Sequence, residues 1–287
     1  MFTLIADSGS TKTDWVIIDG KQVVAAFKTI GFNPYFQTTE QIYDEIILNL
    51  KPFISEYLKH IEHLHYYGAG CSNHIHCNIV AEGISTALEL KNVFVSHDLL
   101  AAARALCGDK PGIACILGTG SNSCLYNGKE VKENVPSYGY MFGDEGSGAQ
   151  MGKKLVQAYF YNELKPKIKT ALEAKGFHRE EILDNMYKKG MPSKYLASFS
   201  KFISENLKDE SLKKIVKDSF TEFFKRQIAE YTDSRQYVVN SVGSIGYYYK
   251  NILAEVANEE GYKLGKVIKS PIEGLIEFHQ KKVSIKP

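Results

Sequence analysis

Two hairpin-like patterns of hydrophobic and polar positions stand out along the chain. Each has an apolar run typical of a buried strand, a tip of small polar residues, and a second apolar run. Gly9 in the first tip and Gly118 in the second are 109 residues apart. Recurrence at the scale of a domain predicts two related α/β halves, each opening with a hairpin. The flanking runs are Phe2–Ala6 and Trp15–Ile18, then Ile113–Leu117 and Ser123–Tyr126.

Between the two hairpins, helical and strand patterns alternate. Apolar residues at helical spacing predict helices over about 40–59, 78–90 and 99–106, and short apolar runs predict strands over 63–67 and 93–95. Such alternation is typical of a layered α/β domain with a partly parallel sheet.

The remainder of the chain is mainly helical. Residues from about 146 to 233 keep helical spacing, with breaks at Pro166, Gly176, Gly190 and Pro192. A strand over 237–241, a helix to about residue 260 and a last helix over 271–281 follow. We therefore expect an N-terminal domain of residues 1–110, completed by the C-terminal helix 271–287, and a second domain of residues 111–270 with a helical insertion at 146–233.

Composition narrows the class of protein. A length of 287 residues fits about two domains. The formal net charge is only +2, which gives no reason to expect nucleic acid or an anionic membrane as a partner. The five cysteines form no CxxC pair, and Asp7 interrupts the apolar start before a secretory segment or a membrane span could form. We expect a protein with reduced thiols in the cytoplasm.

The two hairpin tips have the composition of phosphate-binding loops. Small residues after a strand leave backbone N–H groups unshielded, so an anionic phosphate can approach them. Two such loops together could hold a polyphosphate. Neither tip contains a Walker A sequence or a GxGxxG fingerprint, and each alone is equally well interpreted as a plain hairpin turn.

Three acidic positions accompany these loops. Asp7 and Asp98 each follow an apolar run, where a carboxylate at the end of a strand can point into a cleft. Asp98 also precedes a helical pattern, so its alternative interpretation is a helix N-cap. Asp144 lies in the glycine-rich segment 143–148, whose alternative interpretation is a solvated turn.

The order of these motifs resembles that of N-acetylglucosamine kinases. Together they look like the superfamily that unites actin, the sugar kinases and heat-shock chaperones, in the branch shared with activator ATPases of benzoyl-CoA reductase and 2-hydroxyacyl-CoA dehydratases. The resemblance implies two RNase H-like, actin-like ATPase domains that face a cleft. It rests on the segments Asp7–Thr13, Asp98 after its strand, Gly118–Asn122, Gly139–Ser147 and Val242–Ser244.

The resemblance also implies a role for each matching residue. Asp98 would be the general base that takes a proton from a sugar hydroxyl, and Asp7 would hold Mg²⁺ through water. ATP would be bound by Ser8, Gly9, Ser10, Thr11, Lys12, Thr13, Gly118, Thr119, Gly120, Ser121, Gly243 and Ser244. The sugar would contact Asn33, Asn122, Gly139 and Asp144.

The leading hypothesis is therefore an ATP-dependent kinase, acting on the 6-hydroxyl of N-acetylglucosamine, with N-acetylmuramic acid or glucosamine as alternative acceptors. A second hypothesis is an activator ATPase with an iron–sulfur cluster, since Cys107, Cys115 and Cys124 lie near the second loop. A third is a sugar sensor without catalysis. The family resemblance implies a homodimer.

A histidine- and cysteine-rich stretch raises the question of zinc. Its members are His60, His63, His65, Cys71, His74, His76 and Cys77. The stretch contains neither a CxxC nor an HxxxH pair, and part of it lies on a predicted strand. The spacing does not favour a zinc site, and residues 68–72 are expected to form a loop near the substrate.

Overall fold

The computed structural model of the chain describes residues 2–9 and 12–283. Its strands are β1 (Phe2–Ser8), β2 (Lys12–Asp19), β3 (Gln22–Ile30), β4 (Ile61–Gly68), β5 (Val93–His97), β6 (Pro111–Leu117), β7 (Ser121–Asn127), β8 (Val131–Glu133), β9 (Val239–Val242) and β10 (Leu264–Ile268). Its helices are α1 (Thr39–Asn49), α2 (Lys51–Leu58), α3 (His74–Leu88), α4 (Asp98–Cys107), α5 (Gly139–Phe142), α6 (Gly148–Phe160), α7 (Pro166–Glu173), α8 (Arg179–Tyr187), α9 (Pro192–Glu205), α10 (Glu210–Arg226), α11 (Ser244–Tyr248), α12 (Lys250–Glu259) and α13 (Ile272–Val283).

The chain divides into two compact units. Unit 1 comprises Met1–Asp109 with Pro271–Pro287, and unit 2 comprises Lys110–Ser270. The sheet of unit 1 has the order β3-β2-β1-β4-β5, and that of unit 2 has the order β8-β7-β6-β9-β10. In each sheet the first three strands pair antiparallel and the last three pair parallel. The predicted internal repeat of two related α/β halves is confirmed.

The core of unit 1 lies against one face of its sheet. Leu4, Trp15 and Tyr66 come from neighbouring strands and are fully buried, and Ile42 and Ile84 bring α1 and α3 onto them. The predicted helix over 40–59 is wrong in one respect, because it is two helices that meet at Leu50. Pro52 lies in the first turn of the second helix, where its missing N–H costs no hydrogen bond.

Unit 2 contains the predicted helical block. Helices α6 to α10 lie between β8 and β9, and two of them begin at Pro166 and Pro192, the positions where the sequence pattern breaks. Phe199, Phe220 and Phe223 fill the core between these helices. Within the described ranges, no helix combines the length and the apolar character needed to span a bilayer.

Candidate functional site

The tip of the first hairpin is held by buried hydroxyl groups. The Ser8 and Thr13 hydroxyls lie 2.8 Å apart and are almost completely buried. The Phe32 N–H donates to Ser8 Oγ at 3.1 Å, and Thr13 Oγ1 donates to the carbonyl of Ile30 at 2.9 Å. These two hydroxyls therefore fix the shape of the tip from inside the unit.

Two described residues of the same tip are exposed. Gly9 and Lys12 are both exposed, and the Gly9 N–H donates to the Lys12 carbonyl at 3.0 Å. Ser10 and Thr11, two of the residues expected to bind phosphate, lie outside the described residues. The cationic group that the described tip offers to an anion is the Lys12 ammonium.

Asp7 is the first acidic group of unit 1. It pairs in register with Asp14 across the hairpin, and Lys12 Nζ binds Asp14 Oδ2 at 2.6 Å. Burial raises the pKa of Asp7 to about 7, and the negative charges of Asp98 and Asp14 add to the rise against the opposing effect of Lys12. Because the charge of Asp98 raises the pKa of Asp7, the two carboxylates lie close enough in the structure to interact electrostatically.

Asp98 is the first residue of α4. The interpretation of Asp98 as the N-cap is wrong, because His97 occupies that position and its Nδ1 accepts the Leu100 N–H at 3.2 Å. This role of His97 could not be predicted from the sequence, because histidine is not a preferred capping residue. Burial raises the pKa of Asp98 to about 6, although the backbone N–H groups of Asp98 and Leu99 oppose the rise. A carboxylate with that pKa can accept a proton near neutral pH.

This pair of carboxylates fits Mg²⁺. Magnesium in nucleotide sites is usually held by one or two carboxylates together with phosphate oxygens and water. Asp7 supplies hard oxygen ligands, and a cation held there would relieve the repulsion between Asp7 and Asp98. No group of three or more histidine, cysteine, aspartate or glutamate side chains able to hold a metal occurs among the described residues, the histidine- and cysteine-rich stretch included.

Asn33 lies beside the loop that follows β4. Its Oδ1 accepts the Tyr35 N–H at 3.1 Å, and its own N–H donates to Gln37 Oε1 at 2.7 Å. Gly70 has a positive φ of 81°, and a Cβ there would approach Asn33 Oδ1 to 2.6 Å. Loop 68–72 is therefore packed against Asn33, whose Nδ2 has no acceptor among the described residues.

The second loop of small residues, in unit 2, is braced by α6. The N–H groups of Gly148 and Ala149 donate to the carbonyls of Gly118 and Thr119 at 2.9 and 3.0 Å. The carbonyls of the loop therefore face the helix. The N–H groups of Thr119 and Gly120 have no acceptor among the described residues. This is the backbone arrangement that a phosphate oxygen requires.

Asp144 lies directly behind this loop. Its Oδ1 accepts the Ser121 N–H at 3.3 Å and the Ser137 hydroxyl at 2.8 Å. A Cβ at Gly120 would lie 3.0 Å from Asp144 Oδ2, so glycine is needed for this close approach. Asp144 is only 7% exposed, and burial raises its pKa. The solvated-turn interpretation is wrong, since all of residues 143–148 are buried.

The remaining predicted residues of unit 2 lie at two turns. Gly139 has a positive φ of 68° and begins the short helix α5. Gly243 precedes α11, and Ser244 is the exposed first residue of that helix. Gly243 has a φ of 122°, and a Cβ there would lie 2.3 Å from the carbonyl oxygen of Leu117. The turn at Gly243 is thus in contact with the strand that leads into the second loop.

This contact predicts that Gly243→Ala destabilises the protein. The positive φ and the overlap with Leu117 should together lower the free energy of unfolding by about 3 kcal/mol. Gly176→Ala is the matched control, because Gly176 also has a positive φ, of 86°, but a Cβ there meets no atom within 4 Å. We expect the control to lose about 1 kcal/mol. Denaturant unfolding measures both, and equal losses would contradict the role assigned to Leu117.

The chain is similar to two proteins that are named as amino-sugar kinases. A crystal structure from Porphyromonas gingivalis, provisionally named an N-acetylglucosamine kinase, is 37% identical, with a TM-score of 0.93 over 98% of this chain and 99% of the other. The N-acetylmuramic acid/N-acetylglucosamine kinase of Clostridium acetobutylicum is 26% identical over 76% of this chain and 75% of its own. No family model matches the chain.

A more distant likeness extends to the hexokinases. The ROK hexokinase of Thermus thermophilus is 14% identical, with a TM-score of 0.55 over all of both chains, which is a similarity of fold. The expected fold class, two actin-like ATPase domains, is confirmed by these likenesses and by the repeated strand order.

Proposed function

The chain belongs to the N-acetylglucosamine kinase family of the superfamily that unites actin, sugar kinases and heat-shock chaperones, and from this premise we propose that it transfers the terminal phosphoryl group of ATP to the 6-hydroxyl of N-acetylglucosamine. The observation that carries this proposal is the Asp7 and Asp98 pair in unit 1. The Asp98 carboxylate is suited to accept a proton, and the Asp7 carboxylate is suited to bind a cation.

Asp98 is proposed as the general base. As the sugar oxygen bonds to the γ-phosphorus and the bond from phosphorus to the β,γ-bridging oxygen breaks, the hydroxyl proton becomes acidic and passes to the Asp98 carboxylate. With a pKa of about 6, Asp98 is mostly ionised at neutral pH and still basic enough to take the proton. The Asp98 and Leu99 N–H groups orient this carboxylate at the start of α4.

ATP and Mg²⁺ are proposed as the cofactors. Bound Mg²⁺ supplies positive charge that neutralises the phosphates, and Asp7 would hold it. In unit 2 the uncommitted N–H groups of Thr119 and Gly120 would bind phosphate oxygens, while Gly118 and Ser121 hold the loop in shape. Lys12 provides a cation on the first tip. Ser8 and Thr13 would act through the shape they impose on that tip.

The acceptor sugar is proposed to contact Asn33, Asn122, Gly139 and Asp144. Asn33 in unit 1 has an uncommitted amide donor, and Asp144 in unit 2 has an oxygen that takes no hydrogen bond from a described residue. Sugar hydroxyl groups can accept hydrogen bonds from an amide and can donate to a carboxylate. The Clostridium acetobutylicum relative is named for both N-acetylmuramic acid and N-acetylglucosamine, so both acceptors belong in the test.

Burial of two of the three cysteines near the second loop argues against the activator ATPase. No disulfide joins the cysteines in the described part of the chain, and Cys115 and Cys124 are at most 1% exposed inside unit 2. Thiols in that position cannot hold an iron–sulfur cluster at a subunit interface. A homodimer stays a prediction from the family resemblance, and we propose the cytoplasm, where ATP is available, as the location.

A screen of ATP consumption tests the proposal. We expect turnover with N-acetylglucosamine that exceeds turnover with N-acetylmuramic acid and glucosamine, and none with the 6-deoxy analogue of N-acetylglucosamine, which lacks the proposed acceptor hydroxyl. Phosphorus NMR of the product locates the new ester. Turnover of the 6-deoxy analogue would overturn the 6-position, and iron in the purified protein with no sugar turnover would favour the activator.

A further inference from the structure

A five-residue loop in unit 2 contacts two of the proposed sugar-binding side chains. This loop, residues 134–138, follows β8 and precedes α5. Asn134 bonds to Asn122, and Ser137 bonds to Asp144. Sequence reasoning did not identify either residue, because an asparagine and a serine in a loop carry no distinguishing pattern.

The orientation of the Asn134 amide is fixed by two backbone carbonyls. Its Nδ2 donates to the carbonyl of Ser123 at 2.7 Å and to that of Val135 at 3.2 Å. A carbonyl oxygen only accepts hydrogen bonds, so the NH₂ group must be the part of Asn134 that lies here. The same NH₂ group donates to Asn122 Oδ1 at 3.0 Å.

The Asn122 amide is fixed in turn. Its Oδ1 accepts from Asn134 and also from the Ser123 N–H at 2.9 Å. A backbone N–H is always a donor. In the reversed orientation of Asn122, its NH₂ group would face two other donors, the Ser123 N–H and the Asn134 NH₂ group. The Asn122 NH₂ group is thereby turned away from Asn134, and no described residue accepts from it.

Ser137 orients the Asp144 carboxylate in the same way that Asn134 orients the Asn122 amide. The Ser137 hydroxyl and the Ser121 N–H both donate to Oδ1, while Oδ2 receives no hydrogen bond from a described residue. Ser137 Oγ also accepts the Gly139 N–H at 3.5 Å. One serine thus links two of the four predicted sugar-binding positions, Asp144 and Gly139.

The loop itself is anchored from inside unit 2. The hydroxyl of Tyr231, which is only 3% exposed, accepts the Val135 N–H at 3.2 Å and lies 2.8 Å from Ser123 Oγ. Ser123 is the neighbour of Asn122 on β7 and is fully buried. The loop and the strand therefore share one buried partner, which holds Asn134 against Asn122.

We propose that Asn134 and Ser137 are positioning residues, which turn the amide donor of Asn122 and the free carboxylate oxygen of Asp144 toward the hydroxyl groups of the acceptor sugar. This inference rests on the proposed function. The expected consequence is that a change of either residue affects the KM for the sugar more than the KM for ATP.

Steady-state kinetics of loop variants test the inference. We expect Asn134→Ala to raise the KM for N-acetylglucosamine about tenfold, the value of about one well-placed hydrogen bond, with the KM for ATP unchanged. Asn206→Ala is the matched control, since the Asn206 Nδ2 also donates to a backbone carbonyl of unit 2, that of Phe202. We expect the control to leave both KM values unchanged.

Ser137 offers a rescue experiment and a pH readout. Ser137→Ala should raise the sugar KM by about tenfold, and Ser137→Thr, which keeps a hydroxyl, should restore it. The Ser137 hydroxyl lowers the pKa of Asp144. Its loss should therefore move the increase of the sugar KM at low pH to higher pH, while the fall of kcat expected from Asp98 stays in place. Loosening of the loop alone would not shift the pH dependence of KM in this way.

A double-mutant cycle tests whether Asn134 affects the sugar KM through Asn122 or independently of it. If Asn134 acts through Asn122, the variant Asn122→Ala with Asn134→Ala should have the same sugar KM as Asn122→Ala alone. Additive losses, or an unchanged sugar KM in Asn134→Ala, would overturn the inference while the kinase proposal stands. A wild-type protein without turnover of any amino sugar would instead overturn the proposed function, and the inference with it.

Discussion

Replacing Asp98 by asparagine is expected to lower kcat about 10³-fold, within the range that a general base contributes. The amide keeps the size of the side chain and its place at the start of α4 but cannot accept the sugar proton. ATP affinity, measured by calorimetry, should change little, because the proposed nucleotide contacts lie elsewhere.

The pH dependence of turnover gives the Asp98 experiment a second readout. Burial raises the pKa of Asp98 to about 6, so wild-type kcat should fall as the pH drops through about 6 and the carboxylate takes up a proton. In Asp98→Asn the residual activity should lose this acid limb.

Asp44→Asn provides the matched control for Asp98. Asp44 is an exposed aspartate on α1 in the same unit. We expect the Asp44 variant to retain wild-type kcat. A wild-type rate in Asp98→Asn would remove Asp98 from the role of base, and lost ATP binding would mean that the change damages more than proton transfer.

Asp7→Asn is expected to change activity and stability in opposite directions. Turnover should fall steeply because the variant loses the carboxylate proposed to hold Mg²⁺. Thermal stability without Mg²⁺ at pH 8 should rise by about 2–4 °C, a small shift typical of one relieved interaction in a domain of this size.

The sign of the stability change follows from the pKa of Asp7, which burial raises from 3.8 to about 7. Between about pH 4 and pH 7 the folded chain keeps this proton while the unfolded chain has lost it. The folded state therefore loses stability as the pH rises through this window. Asparagine carries no charge and avoids the loss, so its advantage should be larger at pH 8 than at pH 5.

Thermal melts of wild type and Asp7→Asn at pH 5 and pH 8 measure this difference. Asp44→Asn again serves as the control, with the expectation of no pH-dependent advantage. A variant less stable than wild type at pH 8 would contradict the claim that Asp7 bears an unfavourable buried charge. Full turnover with Mg²⁺ would contradict its role as a ligand.

The paired hairpins were predictable because their signals are local. Apolar runs on both sides of small polar tips are enough to define β1 with β2 and β6 with β7, and prolines 166 and 192 mark helix starts through their missing N–H. Asp98 could be singled out for the same reason, since it directly follows the run that forms β5. The family likeness then gave these residues their expected roles.

The edge strands β3, β8 and β10 could not be predicted in this way. They are short or largely exposed, so they lack the alternation that marks a strand with one buried face. Each exists because a neighbouring strand offers its backbone hydrogen bonds, and that neighbour is fixed by the sheet rather than by the local sequence.

The orientation of the candidate site likewise depends on distant partners. The sequence by itself determined which residue types follow each strand. Only the tertiary structure decided that Ser8 and Thr13 turn their hydroxyls inward, that His97 rather than Asp98 caps α4, and that Asn134 and Ser137 set the direction of Asn122 and Asp144. A hydrogen bond between residues far apart in the chain leaves no periodic trace in the sequence, because it depends on how the folded elements pack together.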